Sequence, residues 1–150
     1  MIESIIDTTQ VLSSNSSNLV FTDDLRTRTA NCCGWLQHID NSPLYKILEG
    51  GLYEITLNST LTSATTGQVA LGLYQDGILI PGAISIGDIT TAGNVVNVNI
   101  NKKLRVCCKS DTTLSIGSVP TINAGITGTT ITTTQIPIIT NAIFSIKRIS

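Results

Sequence analysis

From Tyr53 onward the chain alternates strictly. Tyr53, Ile55, Leu57, Ser59 and Leu61 fall on one side, and Glu54, Thr56, Asn58 and Thr60 on the other. Successive side chains of a strand point to opposite faces of a sheet, so this pattern predicts a half-buried antiparallel strand with one wet face. Val69, Leu71 and Leu73 repeat the period, with the small residues Ala70 and Gly72 opposite. Gln75-Asp76-Gly77 then reads as a tight turn between two strands. The expected core is therefore Tyr53, Ile55, Leu57, Val69, Leu71 and Leu73.

The same reading predicts further strands at Leu19–Phe21, Trp35–Ile39, Leu44–Leu48, Ile78–Ile86, Asn94–Ile100, Leu104–Cys108, Thr113–Ile116 and Asn141–Ile149. Pro81-Gly82 inside one of these runs marks an edge position or a bend. Residues 1–18 read as a short arm ending in a Ser/Asn loop, residues 22–34 as an irregular connection, residues 84–94 as an exposed loop, and the Thr-rich residues 121–137 as a strand pair with a long excursion or an exposed loop. No stretch has a convincing helical period. Roughly eight to ten short strands separated by turn signals predict an all-β antiparallel sandwich or jelly roll over residues 19–150.

Composition agrees. Thr and Ile are the commonest residues at 22 each, and β-branched side chains suit a pleated surface. Only 13% of the 150 residues are charged, so polarity comes from hydroxyls and amides, which suit close packing between subunits. A net charge of −1 argues against nucleic acid, although Lys102, Lys103, Arg105 and Lys109 cluster. No apolar run reaches the roughly 18 residues of a membrane span. The opening MIESIIDTTQ has early acids and no basic segment, so it does not read as a secretory signal.

Three stretches carry a family resemblance. Gly51-Leu52-Tyr53-Glu54-Ile55-Thr56-Leu57 resembles a Gly-x-Tyr strand, and Val69 to Gly77 an apolar strand closed by an Asp-Gly turn. Ala142 to Ile149 resembles a final strand. Together they are similar to the trimeric jelly rolls of the tumour-necrosis-factor and complement globular-head superfamily, above all its bacterial and phage branch of virion head fibres, decoration proteins and spore-surface domains. No Gly-X-Y collagen tract precedes the domain, unlike many such relatives.

The resemblance implies a homotrimer in which one sheet covers the core with one face and meets its symmetry mates with the other. Glu54, Thr56, Asn58, Asn97, Asn99 and Lys147 would then approach the threefold axis, with Val95 and Ser145 beside them. Three Glu54 carboxylates brought together would repel unless paired, with Lys147 as the candidate partner.

The remaining candidate chemistry is sparse. Cys32-Cys33 and Cys107-Cys108 form two doublets that fit buried free thiols or a disulfide within or between subunits. Their spacing lacks the gap of zinc-ligand pairs. His38 lies near Cys33 but has no triad around it, and a hydrogen-bonded structural histidine is the expectation. Asp23-Asp24 reads as a solvated pair, and Asn15-Ser16-Ser17 and Asn58-Ser59-Thr60 match the glycosylation triplet. No catalytic, cofactor or metal site is expected. The functional expectation is a non-enzymatic virion protein, a phage head fibre or capsid decoration anchored by the arm to other capsid proteins. A receptor- or glycan-binding head on a host surface and a spore-surface or extracellular trimer are the alternatives.

Overall fold

The computed structural model describes residues 1–12, 18–27, 34–39, 41–107, 111–123 and 131–150. Two antiparallel sheets face each other. The first contains β1 (Ile2–Ile5), β2 (Gln10–Val11), β3 (Asp23–Thr27), β6 (Gly51–Thr62), β9 (Val96–Val106) and β13 (Ile138–Arg148). Its order is β3-β1-β13-β6-β9, with β2 on the early part of β13. The second runs β4-β5-β10-β7-β8, from β4 (Leu36–His38) and β5 (Tyr45–Ile47) through β10 (Thr112–Ser118) and β7 (Gly67–Gln75) to β8 (Ile78–Ile89). A short hairpin of β11 (Thr121–Asn123) and β12 (Ile131–Thr133) stands apart. Among the described residues there is no helix. This is the all-β antiparallel sandwich that the alternation predicts.

Tyr53, Ile55, Leu57, Val69, Leu71 and Leu73 are all fully buried between the sheets. Phe21, Tyr45 and Phe144 form an aromatic cluster there, with ring centroids 4.9 to 5.8 Å apart. The Gln75–Ile78 turn carries positive φ at both Asp76 (51°) and Gly77 (80°), the signature of the hairpin turn whose twist matches its strands. β8 is an edge strand, as Pro81 predicts, and its pairing with β7 is irregular between Gly72 and Tyr74.

Several boundaries differ from the sequence reading. The expected arm belongs to the sandwich: β1 lies between β3 and β13, and Ile2, Ile6 and Leu12 are buried. Its alternation is masked because Ser4, on the inward face, is a polar residue fully buried beside Asp24. Residues 23–27 are an edge strand and not an irregular connection, and Leu19–Phe21 forms only isolated bridges. Residues 87–89, expected as loop, extend the strand foreseen at Ile78–Ile86 and complete β8. The strands foreseen at 94–100 and 104–108 are one, because Leu104 and Val106 keep the parity of Val98 and Ile100. Residues 124–130 of the Thr-rich stretch lie outside the described residues.

Candidate functional site

The outward face of the first sheet is a regular grid set by strand register. Lys103, Glu54 and Lys147 stand opposite one another across β9, β6 and β13. Asn101, Thr56 and Ser145 form the next row, joined by Thr56 Oγ1 and Ser145 Oγ at 2.6 Å and continued by Glu3. Asn99, Asn58, Ile143 and Ile5 follow. Asn97, Thr60 and Asn141 make the fourth row, where the Thr60 hydroxyl donates to Asn97 Oδ1 at 2.9 Å. Directly paired side chains on one face are close enough to interact, so each row acts as a unit.

All six axis candidates, Glu54, Thr56, Asn58, Asn97, Asn99 and Lys147, thus share one surface. Asn101, Asn141 and Ile143 belong to it as well. They were missed because the sequence reading did not carry the parity of Phe144 and Ile146 back along β13, or that of Val98 forward along β9. Asn58, Thr60, Asn97, Asn99, Asn141 and Ile143 line a shallow depression of about 200 Å³. Among the described residues, the side-chain amides of Asn58, Asn99 and Asn141 have no hydrogen-bond partner. Ile143 is 41% exposed in their midst. Further along the same face, Val11 and Ile138 pair with each other and, with Ala64 and Ile136, border an apolar hollow of about 350 Å³. Unspent amides beside exposed aliphatic side chains are chemistry suited to burial against another polar, partly apolar surface.

Glu54 has no ion pair within 4 Å among the described residues, yet both of its cross-strand neighbours are lysines. The row therefore carries more positive than negative charge, and the repulsion expected between Glu54 copies is offset within each chain.

His38 is built into the seam where the edges of the two sheets meet. Its Nδ1 lies 2.8 and 2.9 Å from the two Asp24 carboxylate oxygens, and its Nε2 3.0 Å from the Ser42 carbonyl oxygen. The Ser4 hydroxyl donates to the same carboxylate. The imidazole stacks on Tyr45 at 4.0 Å and is fully buried. Burial pushes the Tyr45 phenol far above its ordinary range, the Ser4 hydroxyl opposes this and the Asp24 charge adds to it. Both ring nitrogens of His38 face oxygen atoms of their own chain, so the residue is the structural histidine the sequence predicts. Asp24, expected to be solvated, is instead held in this array. Among the described residues no three His, Cys, Asp or Glu side chains gather to hold a metal.

Cys107 is exposed just beyond β9. Cys32, Cys33 and Cys108, and with them the pairing of the doublets, lie outside the described residues, as does the Asn15 triplet. In the second triplet Asn58 is exposed while Ser59 points inward and donates to the Asn141 carbonyl at 3.0 Å.

No protein-family model matches the chain, and no curated protein does. Solved structures do match its fold. The globular domain of zebrafish complement 1qA protein superposes with a TM-score of 0.66 at 14% identity, over 99% of this chain and 96% of that one. Eiger TNF from S. frugiperda gives 0.61 at 7% identity, over 99% and 91%. Murine APRIL gives 0.57 at 10% identity, over 97% and 96%. The chain thus has the jelly-roll sandwich fold of these complement and tumour-necrosis-factor domains.

Proposed function

We propose that this chain is a non-enzymatic structural protein that assembles as a homotrimer through the outward face of its first sheet. The proposed setting is a bacteriophage virion, with the trimer as a head fibre or capsid decoration. The observation that carries the assembly reading is the grid itself. It gathers unpartnered amides and exposed aliphatic side chains onto one side of a sheet whose other side is core. The similarity of fold to complement and tumour-necrosis-factor domains supports the trimer. The virion setting rests on the resemblance of residues 51–57, 69–77 and 142–149 to the phage branch, and on a surface low in charge. Since residues 2–12 are taken up in the sandwich, docking on a capsid falls to the folded surface and not to a free arm.

Light scattering after size exclusion tests the assembly. The expected mass is three times the 15.9 kDa chain, and N58R and I143D are expected to run at the single-chain mass with unchanged far-UV dichroism. A monomeric wild type, or variants that stay trimeric, would remove the reading. Peptides of this chain in purified phage particles test the setting.

A further inference from the structure

We infer that the row of Lys103, Glu54 and Lys147 closes around a small multivalent oxyanion of the phosphate class when three chains assemble. The inference rests on the trimer proposed above and names a ligand for its interface. Register sets Lys103 of β9 and Lys147 of β13 on either side of Glu54 of β6, so the two lysine backbones are roughly 10 Å apart. In the single chain both lysines are exposed and Glu54 is half-buried. None of the three has an ion pair within 4 Å among the described residues. Other cations are engaged elsewhere: Lys46 pairs with Asp111 at 3.1 Å, Arg148 with Glu49 at 2.7 Å, and Lys102 donates to the Pro81 carbonyl at 2.9 Å. Arg105 stands opposite Leu52, roughly 7 Å further along β9, and adds to the positive end of the face.

The sequence alone makes the run Lys102 to Arg105 a solvated strand end. The fold changes that by adding Lys147 from the far end of the chain and turning Lys102 away towards β8. Two lysines and one glutamate leave one positive charge per chain in the row, and so three around a threefold axis. In a single chain that excess faces water and costs little. Assembly through this face withdraws it from water, where an uncompensated charge is strongly unfavourable. The other acids of the face stand in other rows. Glu3 lies beside Ser145 and in register with Arg26, and Asp23 stands opposite Ile5. The compensating charge therefore comes from outside the chain. It is carried by a small ion, because the site closes when the three faces meet and no polymer can thread it. A tetrahedral oxyanion turns three equivalent oxygens to three equivalent lysines, as threefold symmetry requires, and lysine binds such groups as a compact point charge. Chloride offers a single charge and no directed oxygens.

The test is calorimetry and light scattering on the full chain with inorganic phosphate at millimolar concentration, against chloride at equal ionic strength. We expect one phosphate bound per three chains, and dissociation on dilution at a protein concentration at least about tenfold lower in phosphate. K147Q, which leaves Lys103 and Glu54 balanced, should assemble equally in both anions. E54Q, which raises the positive excess, should depend on phosphate more steeply than the wild type, and K46Q should behave like the wild type. The monomeric I143D should bind no phosphate, and far-UV dichroism checks that each variant is folded. A trimer that binds no phosphate and dilutes alike in both anions overturns this inference and leaves the assembly reading intact. So does a K147Q trimer that keeps the full phosphate response. Phosphate held equally well by I143D overturns a site made by three chains. A wild type that is monomeric at every phosphate concentration overturns both readings.

Discussion

Removing the imidazole of His38 would leave the Asp24 carboxylate with only the Ser4 hydroxyl, in a seam where both side chains of the pair are almost completely buried. Breaking one side of a buried pair strands the other charge, and we expect H38A to lose about 3–5 kcal/mol in equilibrium urea unfolding. D24N should cost less, because its amide oxygen still accepts from Nδ1. An H38A variant as stable as the wild type would show that the seam is held by packing alone. The outward residues behave differently at this scale. Asn58, Asn99 and Lys147 are exposed, so exchanging them changes what the face contacts and leaves the sandwich stable.

Among the elements, β1 and β8 show how position in a sheet governs tolerance to change. β1 is hydrogen-bonded on both edges, and deletion of residues 1–12 is expected to abolish the cooperative thermal transition. A truncated chain that melts like the full one would mean that β13 and β3 pair without it. Gly87 of β8 faces β9 so closely that an added methyl would lie 2.6 Å from Val96 Cγ2. Val96 is stiff at its first torsion, so G87A should cost about 1–3 kcal/mol, read as a lowered melting temperature. β6 and β7 were legible because alternation and a turn dipeptide both announce them. β1 was not, because Ser4 occupies an inward position where a polar residue hides the period. β3 was not either, since Asp-Asp-Leu-Arg-Thr has the polarity of a sheet edge. The candidate face was half legible. Glu54, Thr56 and Asn58 follow from the period of one strand, whereas Lys103 and Asn141 become their neighbours only through pairings distant in sequence.

For the whole molecule, the first sheet divides labour between its sides. Inward, it supplies the aromatic and aliphatic core; outward, it presents amides, exposed isoleucines and a basic end. Assembly is assigned to that outward side, so variants there should change the mass of the particle and leave the dichroism of the sandwich unchanged. The order of strands has a further consequence, in time. Ile2 pairs with Ile146, so β1 leaves the ribosome long before β13, and its place between two neighbouring strands exists only once β13 has followed. Sheets closed by such distant pairings fold slowly, on the millisecond-to-second scale or beyond. A tethered nascent chain ending at residue 137 should therefore remain open to protease, and protection should appear only once β13 has emerged. Until then Ile2 and Ile6 are uncovered apolar surface, and a chain whose synthesis stalls is at its most exposed to aggregation.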